Sequence, residues 1–172
     1  MILEKKNNRT WKENLDSGKV GESVFEQYLN SINIEYINVT ENKEFQAIDV
    51  DYLVGKDNVK VECKSDYKFG IYSYEKNKQR MFIETVQNRN INSIGWYYIT
   101  ECDILNVYDV VNKISYFFCM EDIREYINLY ANDTDKIADV KIDKGAEGFG
   151  IYLKSYIEWL DDKEKFYKVI DM

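Results

Sequence analysis

AIDVDYLVGKDNVKVECK, residues Ala47 to Lys64, holds two short alternating runs joined by a turn, and its reading decides the fold. Successive strand side chains point to opposite faces. In the first run Ile48, Val50 and Tyr52 share one face, and Asp49 and Asp51 the other. In the second run Val59, Val61 and Cys63 share one face, and Lys60, Glu62 and Lys64 the other. GKDN (Gly55 to Asn58) has the composition of a turn, so an antiparallel hairpin is expected. Its simplest register sets Asp51 opposite Glu62 and Asp49 opposite Lys64. Opposed residues in such a pair lie about 4.5–5.5 Å apart.

Like charges facing each other across a hairpin are destabilising, and a divalent cation between them removes that cost. Oxygen ligands at about 2.0–2.1 Å suit Mg²⁺, which usually keeps several of its waters. A neighbouring lysine then has two tasks available, orienting an attacking water and stabilising charge on a phosphate. The plain alternative is a solvated strand face on which Lys64 neutralises Asp49; these residues alone leave both open. Ahead of the hairpin, a helix is expected from a cap at Asp16 or Ser17 to about Ser31. Val20, Val24, Phe25, Leu29 and Ile32 would face inward. It carries GKVGE (Gly18 to Glu22), so Glu22 comes within reach of the same cation, unless it and Glu26 are simply surface acids.

A helix with G-x-x-x-E, then an Asp, then E-x-K thirteen residues later resembles the PD-(D/E)XK, or restriction-endonuclease-like, nucleases. It is most similar to the Holliday-junction-resolvase type and small phage or bacterial relatives. The matching pieces are Gly18 to Glu22, Gln46 to Asp49, Glu62 to Asp66, Phe82 to Glu84, and Gly95-Trp96, within residues 18 to 125. The resemblance implies Asp49 and Glu62 as ligands of Mg²⁺ (or Mn²⁺), with the backbone carbonyl of Cys63 beside them. It implies Lys64 as the group that positions or activates water. Glu22 would complete the cluster through water or a second metal, and Glu84 would be an accessory acid. The chain departs from the family pattern in three places. Ile48 stands where the family has Pro. The segment Tyr67 to Gln79 is long. Asp51 competes with Asp49, since the thirteen-residue spacing favours Asp49 and the hairpin register Asp51.

The implied fold is α/β (α+β), a restriction-endonuclease-like mixed central β-sheet flanked by helices. It would form a single domain over residues 1–172, with a C-terminal α/β extension from about residue 126. Further strands are expected at INIEYINV (Ile32 to Val39), RMFIET (Arg80 to Thr85) and GWYYIT (Gly95 to Thr100). A hairpin turning at Asn112-Lys113 follows, then a helix over Glu121 to Tyr130. The tail reads as a strand at GFGIYLK, a helix at SYIEWL and a strand at FYKVI. GIY occurs at Gly70 to Tyr72 and Gly150 to Tyr152 without a YIG partner, so both copies read as ordinary β segments.

Composition excludes several chemistries. The chain of 172 residues has no histidine, which removes Ser-His-Asp and Cys-His nucleophiles and histidine-based metal nucleases. Three widely spaced cysteines argue against a disulfide framework and for a reducing cytoplasm, the host's if the protein is phage-encoded. No membrane-spanning or secretory run is present. A net charge of −8 argues against a protein that coats nucleic acid. It leaves room for an enzyme whose basic residues gather in one groove. Lys68, Lys76, Lys78 and Arg80, interleaved with tyrosines, are the expected DNA contacts. The expected activity is a metal-dependent DNA endonuclease, with a homodimer expected because relatives pair to cut two strands. The rivals are an acidic nucleic-acid mimic that inhibits a DNA-binding partner, and a DNA-binding member of the fold that does not cut.

Overall fold

A computed structural model describes residues 11–67, 79–141 and 145–172, with side chains from residue 18 onward. The chain opens with helix α1 (Trp11–Ser31). Phe25 and Leu29, one turn apart, are buried by it against the sheet. The helix is already under way at Asp16 and Ser17, so neither is its N-cap, contrary to the sequence reading. It ends at Asn33, which takes a φ of 54° while the Ile34 N–H returns to the Leu29 carbonyl. That reversal exposes Ile32 instead of burying it and shortens the next strand to β1 (Tyr36–Asn38).

Helix α2 (Lys43–Gln46) was not anticipated; the Asn42 side chain caps it by accepting the Glu44 N–H. Strand β2 (Tyr52–Val54) is shorter than the alternation of residues 47–54 predicts. Asp49 adopts a φ of 50°, a left-handed conformation that Asp tolerates better than most residues. The chain therefore turns where a strand was expected. Strand β3 (Val59–Asp66) follows, and Tyr52 pairs with Val61 and Val54 with Val59. This is the expected register, although its regular ladder stops before Asp51.

Strand β4 (Arg80–Asn88) leads through a 3₁₀ turn to β5 (Ser93–Ile94). GWYYIT, read as a strand, forms instead the one-turn helix α3 (Trp96–Ile99). Its aromatic and β-branched residues favour strand, but tertiary contacts override them. The Gly95 N–H is held by the Thr85 carbonyl, and the turn packs Tyr97 against Phe149, ring centroids 6.4 Å apart. The expected hairpin is β6 (Ile104–Asp109) and β7 (Ile114–Cys119), followed by α4 (Met120–Tyr130). Strand β8 (Ile137–Lys141) was not foreseen; β9 (Glu147–Tyr152), α5 (Leu153–Asp162) and β10 (Tyr167–Asp171) complete the chain.

The fold is mixed α+β, with a mixed central sheet in the order β1-β2-β3-β6-β7-β10 and helices on its faces. Among the described residues, only β3 and β6 pair in parallel. A second sheet, β5-β4-β9-β8, was not predicted. The C-terminal third supplies β9 and β8 to this sheet and β10 to the other. One core lies beneath α1, where Phe25 and Leu29 meet Tyr52, Val61, Cys63 and Phe117. The other joins the opposite face (Leu105, Val107, Phe118) to Met81, Ile83 and Ile151 and to Ile123, Tyr126 and Tyr156 of α4 and α5. Cys63, Cys102 and Cys119 are free thiols. No helix among the described residues is long and apolar enough to cross a membrane.

Candidate active site

Strand β3 carries the central side chains of the candidate site because its alternation separates two environments. Val61 and Cys63 enter the core under α1, and Glu62 and Lys64 emerge on the other face. Glu62 is 3% exposed. The Lys64 ammonium lies against its Oε1 and 3.0 Å from Asp49 Oδ2. Glu62 Oε2 is buried with no hydrogen-bond partner. The Trp96 ring centre is 5.3 Å from the Lys64 ammonium.

The two aspartates have separate partners. Asp49 is fixed by its left-handed backbone and by the Thr100 hydroxyl, which donates to its carbonyl at 3.0 Å. Its carboxylate turns to Lys64. Asp51 lies where β2 ends: its N–H donates to the Val61 carbonyl, and its Oδ2 accepts the Cys63 N–H at 2.9 Å. A strand residue presents its N–H and C=O on the same edge. The Cys63 carbonyl therefore faces the edge of β3 that Asp51 occupies. Asp51 also comes within hydrogen-bonding reach of Glu62, which two ionised carboxylates exploit only by sharing a proton or a cation.

Glu22 reaches this edge from α1 because the helix sits unusually close to β3. Gly21 donates its N–H to Ser65 Oγ at 2.9 Å, and a Cβ on Gly21 would stand 2.5 Å from the same oxygen. Ser65 in turn donates to the Gly18 carbonyl. The glycines of GKVGE therefore bring the helix down onto the strand and set Glu22 beside Asp51. Glu84, on β4, lies near the Trp96 backbone N–H and faces Lys64 and Asp49.

Burial pushes the Glu62 carboxyl well above the usual range, against the pull of Lys64 and with added repulsion from Asp51 and Asp49. Burial also raises Asp51, opposed by the Cys63 N–H and Lys64. Glu22 is raised by burial and then by Asp51, and Glu84 by burial against Lys64. Burial works to lower Lys64, but Glu62 and Asp49 outweigh it, so the ammonium keeps its proton. Asp49, Asp51, Glu62 and Glu84 thus face one ammonium, and ionisation of all four would leave three negative charges uncompensated by Lys64.

The structure thus brings together Glu22, Asp49, Asp51, Glu62, Lys64 and Glu84, all named from sequence. Among the described residues, no three His, Cys, Asp or Glu side chains already form a metal-binding group. The Asp49–Glu62 gap holds the Lys64 ammonium. The donors nevertheless suit a hard divalent cation, being all oxygen, and the orphaned Glu62 Oε2 beside Asp51 is the kind of atom such a cation satisfies. Arg80, a predicted DNA contact, stands at the start of β4 with its guanidinium 6.0 Å from the Tyr152 ring centre. Lys68, Lys76 and Lys78 lie outside the described residues. Ser65 and Trp96 lie within the matching pieces but carried no expected role, and Thr100 was not anticipated.

No family model matches the chain, and no curated protein matches it. The chain is similar to the solved structure of a bacterial homing endonuclease, I-Ssp6803I, at 13% identity and a TM-score of 0.47. The match covers 65% of this chain and 72% of that one, and is too distant to bear on what this chain does.

Proposed function

We propose that this protein is a metal-dependent DNA endonuclease of the PD-(D/E)XK type, acting with Mg²⁺ or Mn²⁺ in the cytoplasm. One observation supports this above others: Asp51 and the buried, unpartnered Oε2 of Glu62 lie together where the β2–β3 ladder ends, with the Lys64 ammonium at Glu62's other oxygen. Asp51, Glu62 and the Cys63 carbonyl would hold the cation, with Glu22 acting through water. Asp49, the expected ligand, would instead hold Lys64 in place. When bound, the cation polarises the scissile phosphate and lowers the pKa of a coordinated water.

The chain's own residues do the rest. Lys64 stays protonated and so is unsuited to act as a general base. It orients the attacking water and offsets charge that grows on the phosphate oxygens. Glu84 and Asp49 face that ammonium and fix its direction. Cutting both strands of a duplex takes two such sites, which a homodimer supplies.

Cleavage of plasmid, single-stranded, flap and four-way-junction DNA in Mg²⁺, Mn²⁺ and EDTA tests this reading. Cutting that needs the cation and disappears in Glu62→Gln supports it. No cutting of any substrate overturns it. The net charge of −8 favours a second reading, an acidic protein that mimics nucleic acid. That reading has no use for an ammonium inside the acid cluster, so Lys64→Ala should leave binding to a protein partner intact.

A further inference from the structure

A lysine ammonium has three N–H donors, and two of those on Lys64 meet Glu62 Oε1 and Asp49 Oδ2. A further side of the ammonium meets the indole of Trp96, whose ring centre is 5.3 Å away. A cation within about 6 Å of an aromatic ring centre is attracted by the negative ring face. The ring is half-buried and packs against the core that includes Met81 and Ile83.

The hydrogen bonds that aim Trp96 also set Asp49. Thr100 joins the two: its N–H donates to the Trp96 carbonyl at 2.9 Å, and its hydroxyl to the Asp49 carbonyl at 3.0 Å. Arg124, on α4, holds Thr100 in turn by donating to its carbonyl at 2.7 Å. On the other side of Trp96, the Gly95 N–H meets the Thr85 carbonyl at 2.9 Å, and a Cβ on Gly95 would stand 2.4 Å from the Glu84 carbonyl oxygen. The indole and the carboxylate that flank one ammonium are thus spaced by a single buried threonine.

Charge explains why a ring stands here. Asp49, Asp51, Glu62 and Glu84 already face Lys64, and another carboxylate would add charge and take another N–H. An indole face attracts the ammonium with no formal charge, accepts hydrogen bonds only weakly and keeps water from one side of the cation. We infer that Trp96 is a positioning residue for the cleavage reaction. Its indole holds the Lys64 ammonium against Glu62 and Asp49 and leaves an N–H directed at the attacking water and the phosphate. This rests on the nuclease reading.

The test is single-turnover cleavage with Mg²⁺ by the full chain carrying a mono- or difluorinated tryptophan at position 96 alone. Fluorine withdraws charge from the ring face and barely changes its shape, so a ring that only packs is insensitive to it. The rate constant should fall stepwise with fluorine count, and Trp96→Leu should be about tenfold slower than wild type. Tm should hold across the fluorinated series. The same fluorines at position 159, where the Lys165 ammonium also lies 5.3 Å from an indole ring centre, should leave the rate unchanged. By NMR, the Lys64 ε-methylene protons, assigned by their loss in Lys64→Met, should move downfield in Trp96→Leu as the ring current disappears. Rates indifferent to fluorine at position 96, or equally sensitive to it at position 159, overturn the inference, as does a Lys64 signal unmoved by Trp96→Leu. A wild type that cuts no DNA sinks the nuclease reading and the positioning role with it, while a Lys64 signal that still shifts upholds the indole contact.

Discussion

The ammonium of Lys64 lies 3.0 Å from Asp49 Oδ2 and also contacts Glu62 Oε1, so one cation serves carboxylates from a turn and a strand. Removing it leaves two acids facing each other in a poorly hydrated site. Breaking a fully buried pair costs roughly 3–5 kcal/mol. Lys64 keeps 31% side-chain exposure, so solvent screening reduces the expected loss to roughly 1–3 kcal/mol for Lys64→Met. Cleavage should fall by about 10²–10³. Urea denaturation and single-turnover cleavage measure the two effects, and an active Lys64→Met enzyme would remove Lys64 from the chemistry.

The split between the two aspartates separates their mutants. If Asp51 and Glu62 hold the cation, ten times Kd of Mg²⁺ stabilises the fold by about 1.4 kcal/mol, which raises Tm by about 2–6 °C in a chain of this size. Asp51→Asn should abolish that rise. Asp49→Asn should keep it and lose cleavage, because only Lys64 is released. Thermal melts across a Mg²⁺ series decide the assignment. A rise lost in Asp49→Asn and kept in Asp51→Asn would reverse it.

The hairpin register, the acid-lysine convergence and the β6–β7 pair were legible in sequence, because period-two alternation leaves little freedom once one face is buried. What escaped depends on contacts distant in sequence. Nothing local in AIDV says that the Asp49 backbone will turn left-handed, since the Thr100 hydroxyl that meets its carbonyl comes fifty-one residues later. WYYIT after Gly95 has strand propensity throughout, and it coils because Gly95 is trapped against Glu84 and Thr85. Strand β8, an edge strand with Asp139 and Lys141 exposed, gave little hydrophobic pattern to read.

Four raised carboxyls give the metal-free protein a particular pH dependence. Glu22, Asp51, Glu62 and Glu84 all titrate above their ordinary values when folded. The native state then binds more protons than the unfolded chain, so this contribution is full below the unfolded values near pH 4 and is lost as pH rises through the folded ones. Lys64, raised in the folded state, contributes evenly until pH approaches the free-lysine value of about 10.4. In EDTA the urea midpoint should therefore fall from pH 5 to pH 8, less steeply in Glu62→Gln. Mg²⁺ should flatten the slope by compensating the ionised acids. A midpoint that climbs with pH in EDTA, with the same slope in Glu62→Gln, would show that this cluster is not strained.

Gly21 decides whether Glu22 reaches the site at all. Its N–H donates to Ser65 Oγ, and a methyl group there would stand 2.5 Å from that oxygen and 3.5 Å from Tyr108 Cβ. An alanine favours an exposed helix by about 1 kcal/mol over glycine. Here the collision must move either the serine or the helix, and overpacking of this kind costs about 1–3 kcal/mol. Gly21→Ala should therefore destabilise the fold and weaken Mg²⁺ binding together, because lifting α1 draws Glu22 from Asp51. Ser65→Ala removes the obstructing oxygen, so Gly21→Ala/Ser65→Ala should recover stability and Mg²⁺ affinity beyond the sum of the single changes. Additive losses in that double-mutant cycle would mean that α1 is seated by its apolar face alone, with Phe25 and Leu29 holding it and the glycine contact incidental.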